Sequence, residues 1–284
     1  MIPAPPMSSN DLSPFHFDLL AQFLRKESGI ILRPEKSYSL RAKLQPLARE
    51  WGYEGLNDLV SHVYRERHNP AVVDAILNAL TIKETSFFRD RKPFEALRRT
   101  ILPELAEKRG SRELKLWSTA CSTGQEAVSL AILLYQVLPS ERANRSLVIG
   151  TDVSEEAISR ARRGIYSELD VARGLSPETL QTFFEPVAGG YRLRDDLRGT
   201  LRYRGLNLLA PDFPLSRFDV VMCRNVLIYF DDEGKRRALD NIHARLASDG
   251  FLLTGAGEDA QRVDSRFRRV NVDGLQCYCK AGAS

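Results

Sequence analysis

Long apolar runs are missing from this chain. No stretch approaches the roughly 18 apolar residues that cross a bilayer, and the longest, Leu130 to Leu138, suits a buried helix. No membrane insertion is expected. The opening, MIPAPPMSSNDLSP, has neither a basic start nor an apolar core, so no secretory signal is read there. Residues 1–12 read as a disordered leader. Cysteine is scarce. Four in 284 residues do not make a disulfide framework, and reduced, packed thiols in a cytoplasmic protein are expected. Cys277-x-Cys279 lies in a predicted strand and reads as packed thiols, so no metal is expected. A strong charge of either sign is lacking too. The net charge is only +4. Clusters such as Arg160, Arg162 and Arg163, or Lys235 to Arg237, read as solvated helix faces, and no nucleic-acid partner is expected.

What the chain does contain falls into two patterns. Residues 13–80 carry apolar positions at helical spacing and no strand pattern. Ser13 caps a first helix, Pro14 occupies its first position, and Gly29 ends it. A second helix runs from Ser37 to Glu50, and Pro46 is expected to kink or divide it. Two more follow, at 56–65 and 71–80. An N-terminal all-α domain is therefore expected. Residues 81–110 read as a linker, with an amphipathic helix from Phe94 to Lys108. From residue 111 to 284 strands and helices alternate, which predicts an α/β domain with a parallel, helix-flanked sheet. A block at about 175–206 interrupts that alternation. Tyr191-Arg-Leu-Arg and Leu201-Arg-Tyr-Arg alternate at period two, and are expected to pair as a small inserted antiparallel hairpin.

The most informative stretch is LWSTACSTGQEAVSL, from Leu116 to Leu130. A short strand, a turn of small residues and an apolar helix make a nucleotide cradle, with helix N–H groups facing the ligand. The turn fits neither G-x-G-x-x-G nor G-x-x-x-x-G-K-[ST], which points away from dinucleotides and triphosphates toward another adenosyl ligand. In an open α/β sheet the ligand lies beyond the carboxyl ends of the strands. Such ends carry Ala120 to Glu126, then Asp152, then the pair Asn207-Leu208, then the pair Arg224-Asn225. Each has a plainer reading: Asp152 as a helix cap, Asn207 as an Asx-turn residue, Arg224 as a structural partner of Asp231 or Glu258. Their ordered conjunction favours a ligand. In TIKETSFFRD, Phe87 and Phe88 read as packing, and Arg89 as a carboxylate clamp.

The segments ETSFFRD, LWSTACSTGQEAVSLAI, GTDVSEEAISRARRGIY, NLL and FDVVMCRNVLIYFD, in that order, resemble the chemotaxis receptor glutamate methyltransferases, the CheR family. The resemblance spans roughly residues 15–280. It implies an all-α N-terminal domain and a Rossmann-like S-adenosylmethionine-dependent methyltransferase domain with an inserted small antiparallel β-subdomain. By position it implies cofactor contacts at Lys83, Thr85, Arg89, Ala120, Glu126, Asp152, Asn207, Leu208, Arg224 and Asn225. Lys83 stands where the family usually has Asn, Gln125 replaces the first Glu of G-E-E, and the late G-H-S-E reads Gly255-Ala-Gly-Glu258. The implied reaction methylates glutamate side chains of chemoreceptors and releases S-adenosylhomocysteine, without a metal. Asp152 is expected to hold the ribose, Glu126 a polar or cationic part of the cofactor, and Arg224 and Asn225 the floor near the methyl group. Arg89 and Tyr229 are the expected catalytic residues, Arg89 positioning a carboxylate and Tyr229 on the acceptor side.

The expected partners are the cytoplasmic methylation helices of receptors, attracted by Arg41, Lys43 and Arg49. The short loop Pro186 to Gly190 implies independence from a receptor C-terminal docking peptide. A cytoplasmic monomer is expected. The alternatives are a methyltransferase of the same fold with another acceptor, and a catalytically silent cofactor-binding scaffold.

Overall fold

The computed structural model describes residues 12–211 and 216–282, the side chains of 36–38 excepted; most of the expected leader lies outside them. The chain divides into two compact units, Met1–Ile82 and Lys83–Ser284.

Among the described residues the first unit holds four α-helices: α1 Pro14–Ser28, α2 Ser37–Glu50, α3 Leu56–Arg65 and α4 Pro70–Leu80. The Ser13 side chain accepts the His16 N–H, and Gly29 closes α1 in the left-handed region at φ 78°, where a Cβ is penalised. Leu20, Leu24, Leu44, Leu59 and Ile76 are fully buried between the helices. Pro46 does not divide α2, which runs on past it. The proline removes one N–H, but Leu40, Leu44 and Ala48 bury the helix on both sides of it, and that packing offsets the lost bond. Lys43, on the same helix, donates to the Leu80 carbonyl at 3.0 Å.

In the second unit the expected linker is part of the body. Helices α5 Lys92–Ala96 and α6 Leu102–Arg109 join through a π-helical turn, Leu97–Ile101. Phe94, Leu97, Ile101, Leu102 and Leu105 lie in the main core. There follow β1 Lys115–Ser118, α7 Gln125–Val137, α8 Ser140–Arg145, β2 Leu147–Asp152, α9 Glu155–Arg163, β3 Ile165–Tyr166, α10 Glu168–Ala172 and α11 Pro177–Phe183. Next come β4 Phe184–Val187, β5 Gly190–Leu193, α12 Asp195–Thr200, β6 Leu201–Gly205, β7 Phe218–Cys223 and α13 Asp232–Arg245. The chain closes with β8 Leu246–Thr254, α14 Ala260–Val263, β9 Phe267–Val272 and β10 Leu275–Lys280.

The main sheet has seven strands in the order β6-β2-β1-β7-β8-β10-β9. The first five are parallel, and β10 runs antiparallel to both neighbours. Strand order reverses at β1, with β2 on one side and β7 on the other. A crevice opens at such a reversal, beyond the carboxyl ends. The apolar helix α7 covers β1 there, with Val128, Leu130 and Leu134 in the core.

The small antiparallel sheet is present, but its pairing corrects the sequence reading. Strand β5 pairs with β4 and with β3, and residues 201–205 instead form β6, parallel to β2 at the main sheet's edge. An edge strand has one solvated face, so it alternates at period two as a hairpin does.

At the opposite end of the sheet the Arg109 guanidinium donates to Asp219 at 2.7 Å and in a fork to Asp249 at 2.6 and 2.7 Å. These bonds tie α6 to β7 and β8. Bonding to Arg109 holds the Asp249 carboxyl below its ordinary 3.8. Its contribution to stability is therefore complete above that value and lost as pH falls through the depressed one. Arg109→Met is expected to lower the unfolding free energy by about 2 kcal/mol at neutral pH, measured by urea denaturation. The difference from the parent should shrink below about pH 4.

Candidate active site

The cradle forms because β1 ends in five consecutive small residues, Ala120 to Gly124. The Cys121 N–H reaches across to the Thr151 carbonyl on β2 at 2.8 Å, and the Thr119 N–H to Met222 on β7 at 2.9 Å. The turn is thus hung between the two strands flanking the crevice. Ser122 lies at φ 50° and Gly124 at φ 100°. A Cβ on Gly124 would press on the Tyr166 and Tyr203 hydroxyls, each at about 3 Å. No side chain caps the start of α7, which leaves its N-terminus open to a ligand.

Asp152 ends β2. One carboxylate oxygen accepts the Ser122 N–H at 2.9 Å, and the other the Ser154 N–H at 3.0 Å. The helix that follows, α9, is capped by the Ser154 hydroxyl instead. Burial pushes the Asp152 carboxyl above its ordinary value, while those N–H groups and Lys83 pull the other way.

Arg224 follows β7, and its side chain is 2% exposed. One Nη donates to Glu126 at 3.0 Å; the other donates to Asp90 at 2.5 Å and to the Arg89 carbonyl at 2.9 Å. The guanidinium lies 5.6 Å from the Phe94 ring. The structural partners suggested for it, Asp231 and Glu258, are not the ones it takes. Asp231 caps α13 at Gly234. The Glu258 carboxylate collects the N–H groups of Asn225, Val226, Ile228 and Gly255.

The remaining sequence-predicted residues are less uniform. Glu126 is already engaged, by the Ser118 hydroxyl at 2.7 Å and by Arg224. Lys83 pairs with Glu156 at 2.7 Å, and its carbonyl accepts from the Ser122 hydroxyl. Thr85 is half-buried in the same segment. Asn207 forms the Asx turn of its plainer reading, its side chain accepting the Leu209 N–H at 2.9 Å. Leu208 is buried, and Asn241 grips its carbonyl. Ala120 is half-buried at the end of β1. Arg89 donates to the Glu84 carbonyl at 3.1 Å. Burial raises the Tyr229 hydroxyl's pKa, and the Arg89 charge opposes it. Sequence reasoning gave no role to Asp90, although an acid in a segment without periodicity beside an unmatched Arg was the available signal. Phe87 packs as expected, edge-on to Tyr166 and Phe184.

Residues 83–275 match the CheR methyltransferase, SAM binding domain, and residues 16–81 match the CheR methyltransferase, all-alpha domain. The chain belongs to the CheR methyltransferase family. Chemotaxis protein methyltransferase 1 of Pseudomonas aeruginosa is 36% identical over 258 residues, covering 89% of this chain and 93% of that one. Chemotaxis protein methyltransferase 1 of Vibrio cholerae is 35% identical over 275 residues, covering 94% and 97%. Chemotaxis protein methyltransferase Cher2 of Pseudomonas putida is 32% identical, covering 93% and 96%.

The residues present fit the S-adenosylmethionine that this family binds. The Asp152 oxygens accept the Ser122 and Ser154 N–H groups and retain acceptor capacity for a ribose hydroxyl. The cradle holds no side chain larger than threonine, and no lysine that would suit phosphates. Asp152→Asn is expected to weaken S-adenosylhomocysteine binding by about 10- to 100-fold, the loss of a hydrogen bond to a charged acceptor. Parent affinity should fall with acidity at a higher pH than the ordinary carboxyl value of 3.8, while the variant stays flat there. Calorimetric titration across pH checks both.

Proposed function

We propose that this chain methylates glutamate side chains on the cytoplasmic methylation helices of chemoreceptors, giving glutamyl methyl esters and S-adenosylhomocysteine. Bound S-adenosylmethionine supplies a methyl group activated by the adjoining sulfonium. Asp152 accepts the ribose hydroxyls, and the N-terminus of α7 faces the cofactor's carboxylate end. Arg224 and Asn225 form the floor of the site. Lys83, Thr85, Arg89, Ala120, Glu126, Asn207 and Leu208 line it, with Glu126 acting chiefly by holding Arg224.

The observation that carries the reading is the match to the CheR methyltransferase domains over residues 16–81 and 83–275. The neighbouring carboxylates are committed: Glu126 and Asp90 to Arg224, and Glu258 to backbone N–H groups. Of the groups proposed for the acceptor side, Arg89 is a cation and Tyr229 a phenol, which suit an anionic acceptor. A glutamate with pKa near 4.3 is already ionised at neutral pH and needs no base. The work left to the protein is positioning and partial desolvation, and proximity alone is worth roughly 7–11 kcal/mol in well-oriented systems. Arg89 orients the carboxylate, and Tyr229 donates a hydrogen bond to it.

The connection between β4 and β5 is only Ala188-Gly189, which favours action without a docking peptide. Among the described residues no helix is long and apolar enough to cross a membrane. We take the protein to work as a cytoplasmic monomer, without a metal.

Incubation with radiolabelled cofactor and receptor cytoplasmic fragments should give base-labile label on receptor glutamates. Label on other acceptors alone, or binding without turnover, would contradict the proposal. Arg89→Ala is expected to lower kcat/KM about 100-fold, the loss of one partner of a desolvated charge pair. Tyr229→Phe should lower it about tenfold, one hydrogen bond's worth.

A further inference from the structure

Glu258 has no role in the scheme above, yet it is among the most heavily bonded side chains of the site. It is 6% exposed. One carboxylate oxygen accepts the N–H groups of Asn225 at 2.7 Å and Gly255 at 2.8 Å; the other accepts those of Val226 at 3.0 Å and Ile228 at 3.2 Å. All four donors are backbone groups. They converge because Asn225 takes φ 57°, which folds the chain after β7 into a nest for an anion. The segment filling the nest comes from the end of the neighbouring strand, β8. Its own backbone is clamped, the Thr254 hydroxyl donating to the Glu258 carbonyl at 2.6 Å. Gly255 completes the arrangement, since a Cβ there would press on the Glu258 carboxylate and on the Asn225 amide.

The turn held in this way begins one residue after Arg224 and ends one residue before Tyr229. Arg224 is fixed independently by Glu126, Asp90 and the Arg89 carbonyl. At the turn's other end, Leu227–Tyr229, the bonds from Val226 and Ile228 to Glu258 add to its own short helical turn and to the buried Leu227.

We propose that Glu258 is a positioning residue: its carboxylate fills the backbone nest at 225–228 and sets Tyr229 against the cofactor floor. The inference deepens the methyltransferase reading and rests on it. A neutral isostere cannot substitute. In Glu258→Gln the amide NH2 replaces an oxygen that accepts two N–H groups, so donors face donors. Gly255→Ala strains the same contact without changing charge.

Both variants of the full chain are tested for kcat and KM on receptor fragments, for S-adenosylhomocysteine affinity, and for amide exchange. In each, kcat should fall about tenfold, the loss expected for the Tyr229 hydroxyl. Affinity for S-adenosylhomocysteine, held from the cradle side, should weaken no more than about fivefold. The amides of Asn225, Val226 and Ile228 should exchange faster than in the parent. A purely structural role would lower affinity and kcat together, and that result overturns the proposal, as does kcat within threefold of the parent in either variant. If the parent methylates no receptor glutamate, the proposed acceptor falls instead. Amide exchange then decides alone: faster exchange at 225–228 upholds the positioning role, and unchanged protection overturns it.

Discussion

One buried guanidinium holds this site together. Arg224 contributes the charge, Glu126 and Asp90 neutralise it, and the Arg89 carbonyl takes a further N–H. Arg224 follows β7, and its partners come from the first turn of α7 and from the strained segment before α5. A buried ion pair is weak evidence for stability, but removing one partner strands a charge at a cost of about 3–5 kcal/mol. The network therefore acts as a constraint on geometry. The cradle helix, the sheet floor and the acceptor-side segment cannot move separately without exposing or orphaning a charge.

The strain in the backbone follows the same plan. Six described non-glycine residues have positive φ: Phe88, Asp90, Arg91, Ser122, Asn225 and Asp273. All but Asp273 lie in the segments that Arg224, Asp152 and Glu258 bind. Each such residue costs on the order of 1–3 kcal/mol and persists only where its surroundings over-determine it. Here the surroundings are identifiable. Phe87 and Phe94 anchor the first segment in the core, Asp152 holds Ser122, and Glu258 holds Asn225. Two carboxylates that accept backbone N–H groups thus shape the two loops on either side of the crevice.

The sequence showed those parts of the site that are local. A strand running into five small residues and an apolar helix is readable because strand, turn and helix are contiguous, and Asp152 is readable as the end of the next apolar strand. The partners of Arg224 were not readable. Glu126 is 98 and Asp90 is 134 residues away in the chain, and no periodicity relates positions so far apart. Glu258 was hidden for a related reason, since its four donors are main-chain groups without a residue-type signature. In the fold, the edge strand β6 passed for half of a hairpin, and Pro46 passed for a helix break that the packing of α2 overrides.

The claim that the Arg224 fork organises the cofactor site is tested most directly by titrating Arg224→Lys with S-adenosylhomocysteine in a calorimeter. Lysine keeps the positive charge but loses the planar fork that bridges two carboxylates and a carbonyl. Affinity at least about tenfold weaker than the parent's is expected, roughly the 1.4 kcal/mol of one well-placed contact, in a protein that still folds. Unchanged affinity in the folded variant would mean that charge alone suffices at this position, and would contradict the account.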